Sequence, residues 1–158
     1  MATDDKGTLE RMSGWGWNAG AASVEVIEQT SVQQSVEWIA ATSNKHYVMG
    51  LSHGDSSTSY NDIDFALFAD SYGRLHVYEK GSDRGTFGTY AVGDKLEVRV
   101  QGTTVTYHCN GQLRYTSSQT PTFPLRVDTS FHDSGAKAVS VMIILAQGDH
   151  VITVADYY

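Results

Sequence analysis

The dipeptide Asn110-Gly111 divides TVTYHCNGQLRYT, residues 104–116, into two runs of strand-forming side chains. Both residues tolerate the positive φ angles that a two-residue hairpin turn needs, so the flanking runs come back on each other as antiparallel strands. Upstream, Lys95 to Val100 alternates, with Leu96, Val98 and Val100 on one face and Lys95, Glu97 and Arg99 on the other. That is the mark of a strand with one face buried and one wet. Gln101-Gly102-Thr103 then reads as a turn, and Lys95 to Tyr115 as a three-stranded meander.

The same period of two recurs in Ser23 to Ile27, in Ile63 to Leu67 and in Leu75 to Tyr78, with Ser71-Tyr72-Gly73-Arg74 as a turn between the last two. No window shows a helical stripe over ten or more residues. Fifteen glycines against two prolines punctuate short runs of Val, Ile, Tyr, Phe and Thr. The expected fold class is therefore all-β, a two-sheet antiparallel β-sandwich. With 158 residues, residues 1–12 read as an N-terminal segment with freedom to be flexible and 13–158 as a single domain. Three longer irregular stretches are expected, His53 to Asn61, Gly81 to Gly93 and Ser117 to Pro124, where binding groups commonly sit. Ala138 to Ala155 reads as a closing hairpin turning at Gly148-Asp149. The continuous apolar character of Val139 to Leu145 and Val151 to Val154 suggests burial on both faces or an edge used in self-association.

Charge and composition exclude several functions. Lys and Arg number 11 against 18 Asp and Glu, a net charge of −7, which repels phosphate backbones and anionic lipids, so nucleic acid is not an expected partner. The longest apolar run is far short of the roughly 20 residues that span a bilayer, so no membrane insertion is expected. The first fourteen residues hold no apolar core of a secretory signal. With a single cysteine, Cys109, no intrachain disulfide is available. The expected location is cytoplasmic, or the cell surface after release without a signal peptide.

The stretch from Gly93-Asp94-Lys95-Leu96 through Tyr107-His108-Cys109-Asn110-Gly111-Gln112-Leu113 to Tyr115 resembles the corresponding stretch of concanavalin A-like jelly rolls, and the resemblance extends from Val48 to Ile143. That superfamily includes legume-type lectins, laminin G modules, SPRY domains and family 16 glucanases. The resemblance implies two curved antiparallel sheets of six or seven strands, with ligands, usually carbohydrates or peptides, met by the concave face or by loops at one rim. It does not fix function, because one fold hosts many.

Asp62-Ile63-Asp64 resembles the start of the carboxylate strand of the family 16 enzymes, but their pattern needs acidic residues at three alternate positions, and the third here is Ala66. A retaining hydrolase requires an acid and a nucleophile roughly 5 Å apart, so no catalytic residue is assigned. The same region suits binding: His53, Asp55, Tyr60, Asn61, Asp62 and Asp64 offer carboxylates, an amide and a ring for stacking on a sugar. Arg84 and Tyr90 join the candidates as donors in the Gly-rich stretch. Trp17, two residues from Trp15, belongs with them if the pair faces outward, although entry of at least one into the core is the favoured reading. Asp55, Asp62 and Asp64 could also supply oxygen ligands to calcium, yet no calcium-loop periodicity is present, and no cofactor is required. The six histidines form no metal motif and read as surface or turn residues. His108 and Cys109 should point to opposite faces of their strand.

These readings converge on a non-catalytic carbohydrate-binding protein, a lectin or haemagglutinin-like adhesion module, whose partner is a glycan or glycoprotein and which gains avidity as a homo-oligomer through its C-terminal strands. The alternative is a SPRY-like intracellular protein-interaction module. A β-glucan hydrolase of the family 16 type ranks third.

Overall fold

The computed structural model describes residues 1–54 and 59–157, the last three by backbone alone. Among the described residues the regular structure is all β apart from one short 3-10 turn, Tyr60–Asp62. In chain order the strands are β1 (Ala2–Thr3), β2 (Leu9–Glu10), β3 (Trp15–Ala19), β4 (Ala21–Ile27), β5 (Gln34–Ala40), β6 (Tyr47–Ser52), β7 (Phe65–Ala69) and β8 (Arg74–Glu79). They continue as β9 (Ser82–Thr89), β10 (Lys95–Gln101), β11 (Thr104–Cys109), β12 (Gln112–Thr116), β13 (Leu125–Asp133), β14 (Lys137–Leu145), β15 (Gly148–Val151) and β16 (Val154–Tyr157). One sheet runs β1-β2-β14-β5-β10-β11-β12, with β15 on β14. The other runs β16-β4-β13-β6-β7-β8-β9, with β3 on β13.

The meander read from Lys95 to Tyr115 is β10-β11-β12, turning at Asn110 and Gly111 with φ of 52° and 78°. Between the sheets lie the inward residues of each strand, among them Val36, Trp38, Met49, Leu67, Val77, Leu96, Val98, Val127 and Phe131. Two polar contacts cross this core: the Trp38 indole N–H donates to the Tyr47 hydroxyl at 3.1 Å, and the Tyr107 hydroxyl donates to Glu79 at 2.8 Å. Each satisfies a polar group that burial would otherwise leave unpaired. Cys109 lies in the core while His108 turns outward to Thr106, on opposite faces as the alternation requires.

Several local expectations are corrected. Gly81 to Gly93 is not a loop: most of it is β9, an edge strand wet on both faces, which therefore lacks the alternation of a half-buried strand. Asp62 belongs to the 3-10 turn and not to a strand, and β7 begins only at Phe65. The last hairpin turns at residues 146–147, ahead of Gly148, which opens β15. Burial along β14 alternates, and the strand lies inside its sheet between β5 and β2 and β15, so it offers no free edge for self-association. Residues 1–12 contribute β1 and β2 to that sheet and bury Leu9.

Candidate functional site

Alternation also dictates what the second sheet shows on the side away from the core. Inward Tyr47, Met49 and Leu51 of β6 leave Val48 and Gly50 outward; inward Leu67 of β7 leaves Ala66 and Phe68 outward; inward Leu75 and Val77 of β8 leave His76 and Tyr78 outward. On β13, inward Phe131 leaves His132 outward. At Gly50 a Cβ would meet the Phe65 carbonyl oxygen at 1.8 Å, so only glycine permits the close approach of β6 to β7. A small apolar layer of Val48, Ile63 and Ala66 lies on this face beneath Trp17, Tyr60 and Phe68.

The remainder of the face is ring upon ring. Trp17 meets Tyr60 at 4.9 Å and Phe68 at 5.3 Å, and both Trp15 and Trp17 meet the His132 ring edge-on, at 4.4 and 4.9 Å. Tyr78 packs on Phe68 and Tyr60, and His46 bridges Phe68 and His132. These rings, with Ser71 and Asp133, line an open depression of about 600 Å³. The pairing of β3 with β13 sets Trp15 opposite Asp133 and Ala19 opposite Phe131, with an irregularity between, so Ala19 enters the core while both tryptophans stay outside. The favoured entry of a tryptophan into the main core is thus overturned: Trp15 is 74% exposed, and Trp17 packs only on the outer layer.

Carboxylates at the edges of this face are held ionised. At Asp133 burial opposes the charge, but the His132 ring donates at 2.6 Å and the His46 backbone N–H at 2.9 Å, and the result lies below the ordinary carboxylate value. Asp70 is nearly buried, and burial again opposes its ionisation. The His76 ring at 2.7 Å, the backbone N–H groups of Tyr72 and Arg74, and the Arg74 guanidinium outweigh that cost and bring its pKa down to about 2. Because the folded value lies below the unfolded one, Asp70 stabilises the fold at pH above about 4, by about 2 kcal/mol, and that contribution fades as pH falls toward 2. In urea melts at successive pH values, Asp70→Asn should trail the wild type by about this amount at pH 7, and the gap should close between about pH 4 and pH 2. A gap independent of pH would show that the carboxylate charge is not what matters.

Of the residues expected from sequence to bind ligand, Trp17 and Tyr60 converge in the depression. Those of the others that lie among the described residues do not line it. Asp62 ends the turn that carries Tyr60, and its backbone carbonyl accepts from the Ser52 hydroxyl. Asn61 is exposed and faces Gly81. Exposed His53 donates its backbone N–H to Asp64 at 3.0 Å and sets its ring against the Pro124 carbonyl oxygen. Tyr90 is corrected outright: it is buried, with its hydroxyl donating to the Asp70 carbonyl, and is a core residue. Asp64 and Arg84 line a separate polar cleft at the edge of the sheet, with Glu79 and residues 119, 120 and 122. Asp55 lies outside the described residues. Among the described residues no cluster of three His, Cys, Asp or Glu could hold a metal ion, and no helix is long and apolar enough to cross a membrane.

Trp15 joins Trp17 as the outward alternative of the pair requires, and the residues missed from sequence are His46, Phe68, Ser71, Tyr78, His132 and Asp133. A signal for one of them was present: once Leu75 and Val77 face the core, Tyr78 must share the opposite face with His76, and such a face carrying rings instead of Lys, Glu or Thr is unusual for solvent.

No family model matches the chain, and no curated protein sequence does. Solved structures do. The Emp46p carbohydrate recognition domain, in a potassium-bound form, superposes with a TM-score of 0.57 at 8% identity over 84% of this chain and 77% of that one. The SPRY domain of human HERC1 gives 0.51 at 15% identity over 86% and 94%. An alginate lyase from Corynebacterium sp. gives 0.50 at 13% identity over 89% of this chain and 62% of the lyase. A second alginate lyase, AlgAT5 of polysaccharide lyase family 7, is spanned over 57% of its length. The two antiparallel sheets and the superpositions on the Emp46p and HERC1 domains make the fold a concanavalin A-like jelly roll.

Proposed function

We propose that this domain binds carbohydrate without turning it over, through the aromatic depression on the outer face of the β13-β6-β7-β8 sheet. The observation that carries the reading is the exposure of rings where a soluble sheet ordinarily shows polar side chains, above all Trp15, 74% exposed and held against His132. The apolar C–H face of a pyranose stacks on such rings, while His46, Ser71, His132 and Asp133 offer donors and acceptors to its hydroxyls. Rings that already pack on one another form a platform, so binding needs little ordering of side chains. Superposition on the Emp46p carbohydrate recognition domain supports the reading.

Absence of turnover is supported by the acidic segment. Asp62 is held in the 3-10 turn, and Ala66, at the third position of the carboxylate pattern, is fully buried under the ring layer. On a glycan array probed with the purified domain, a subset of glycans should bind and quench tryptophan fluorescence in solution, with the sugars recovered intact. Silence across the array would remove the proposal, and shortened or unsaturated products would remove its non-catalytic part.

A further inference from the structure

Glu79, the last residue of β8, points inward and is 2% exposed. One of its carboxylate oxygens accepts from Tyr107 across the sandwich at 2.8 Å. The other, Oε1, is ion-paired with Arg84, whose Nε lies 3.3 Å away, but accepts no hydrogen bond. A buried carboxylate oxygen held by an ion pair alone keeps acceptor capacity that native proteins rarely leave unused. Glu79 lines the polar cleft of about 240 Å³ noted above, which also carries Asp64, Lys80, Ser82, Arg84 and Gln119. No residue of this cleft lines the aromatic depression.

The lining identifies the guest. Two carboxylates face two cations, so the cleft offers no net charge to attract an ion. A metal is disfavoured further by the lack, among the described residues, of any three-ligand cluster. What the cleft does present is a carboxylate acceptor, a guanidinium donor, and amide and hydroxyl groups around them. Adjacent hydroxyls can donate to the carboxylate and accept from the guanidinium at once. The volume falls below the roughly 300 Å³ at which pockets for drug-sized ligands begin, which limits the guest to about one sugar ring. We infer that this cleft is a second ligand site, taking a neutral polyhydroxylated molecule the size of a monosaccharide, with Glu79 accepting its buried hydroxyl.

The test is amide chemical-shift mapping of the isotope-labelled full chain against methyl hexopyranosides and myo-inositol, with calcium and potassium chloride as separate arms. At least one polyol should move the amides of residues 79–84, 119, 120 and 122 saturably. Trp15→Ala should leave that response unchanged, which separates it from binding at the aromatic face. Glu79→Gln keeps the shape and removes the charge, and should weaken binding about tenfold or more. Gln119→Ala, at an exposed position of the lining, should also weaken it without affecting folding, so the idea is tested even if Glu79→Gln unfolds. No response to any polyol, a response that survives both variants, or the same shifts with either salt alone would each overturn the assignment.

Discussion

Alanine at Trp15 should weaken glycan binding about tenfold or more while leaving stability within about 0.5 kcal/mol of wild type, whereas alanine at Trp17 should damage both. The two tryptophans are two residues apart and touch the same imidazole, yet their surroundings differ. Trp15 is 74% exposed and rests edge-on against the His132 ring. Its removal takes away stacking area for a ligand and little that the fold relies on. Trp17 covers the layer of Val48, Ile63 and Ala66 and meets Tyr60, Phe68 and His132. Truncating it opens a void over that layer, and a loss of about 2 to 3 kcal/mol is expected for a large aromatic that is only partly buried. Urea unfolding gives the stability of each variant, and titration with a glycan selected on the array gives its affinity. If Trp15→Ala binds as well as wild type, the aromatic depression is not the site.

Why so much of the fold is legible in the sequence, and so little of the site, follows from the range of the forces involved. Asn110-Gly111 and the alternation of β10 are local: turn chemistry and period-two burial act within a few residues and need no knowledge of neighbours. β9 escapes the same reading because SDRGTFGT is an edge strand wet on both sides, leaving burial no pattern to imprint. The site depends on which strands lie side by side. His132 at the end of β13 and His46 just ahead of β6 are brought together only because β13 pairs with β6, with Phe131 opposite Tyr47. Nothing near either histidine in the chain announces the other. Trp17 and Tyr60 were visible as candidates because tryptophan and tyrosine in polar, glycine-rich surroundings stand out by type alone. Tyr90 stood out in the same way and proved to be core, because residue type does not report which side of a sheet a ring takes.

The same register leaves the tryptophan segment dependent on a residue that the sequence reading passed over. Arg11 is 5% exposed, and its guanidinium is used entirely on the chain that follows and on β13. Nε donates to the Ser13 carbonyl, Nη1 to the Gly16 and Phe131 carbonyls, and Nη2 to the Asn18 side-chain oxygen. Residues 13–18 are thereby wrapped around one planar cation, with Gly14 so close that a Cβ there would lie 2.5 Å from Nη2. Arg11 therefore acts as a positioning residue for Trp15 and Trp17. Arg11→Ala strips several carbonyls of charge-assisted donors at once and should destabilise the domain by about 3 kcal/mol or more. In the molecules that remain folded, glycan affinity should fall with it. Arg11→Lys should recover only a minor part, because an ammonium at one point cannot span acceptors that a guanidinium fork reaches on several sides. The readout that separates positioning from general weakening is the near-ultraviolet tryptophan signal, recorded well below the melting temperature of each variant. A changed tryptophan signature with intact far-ultraviolet β signal is the expected result, while an unchanged signature together with wild-type affinity would show that Trp15 and Trp17 hold their places without the arginine.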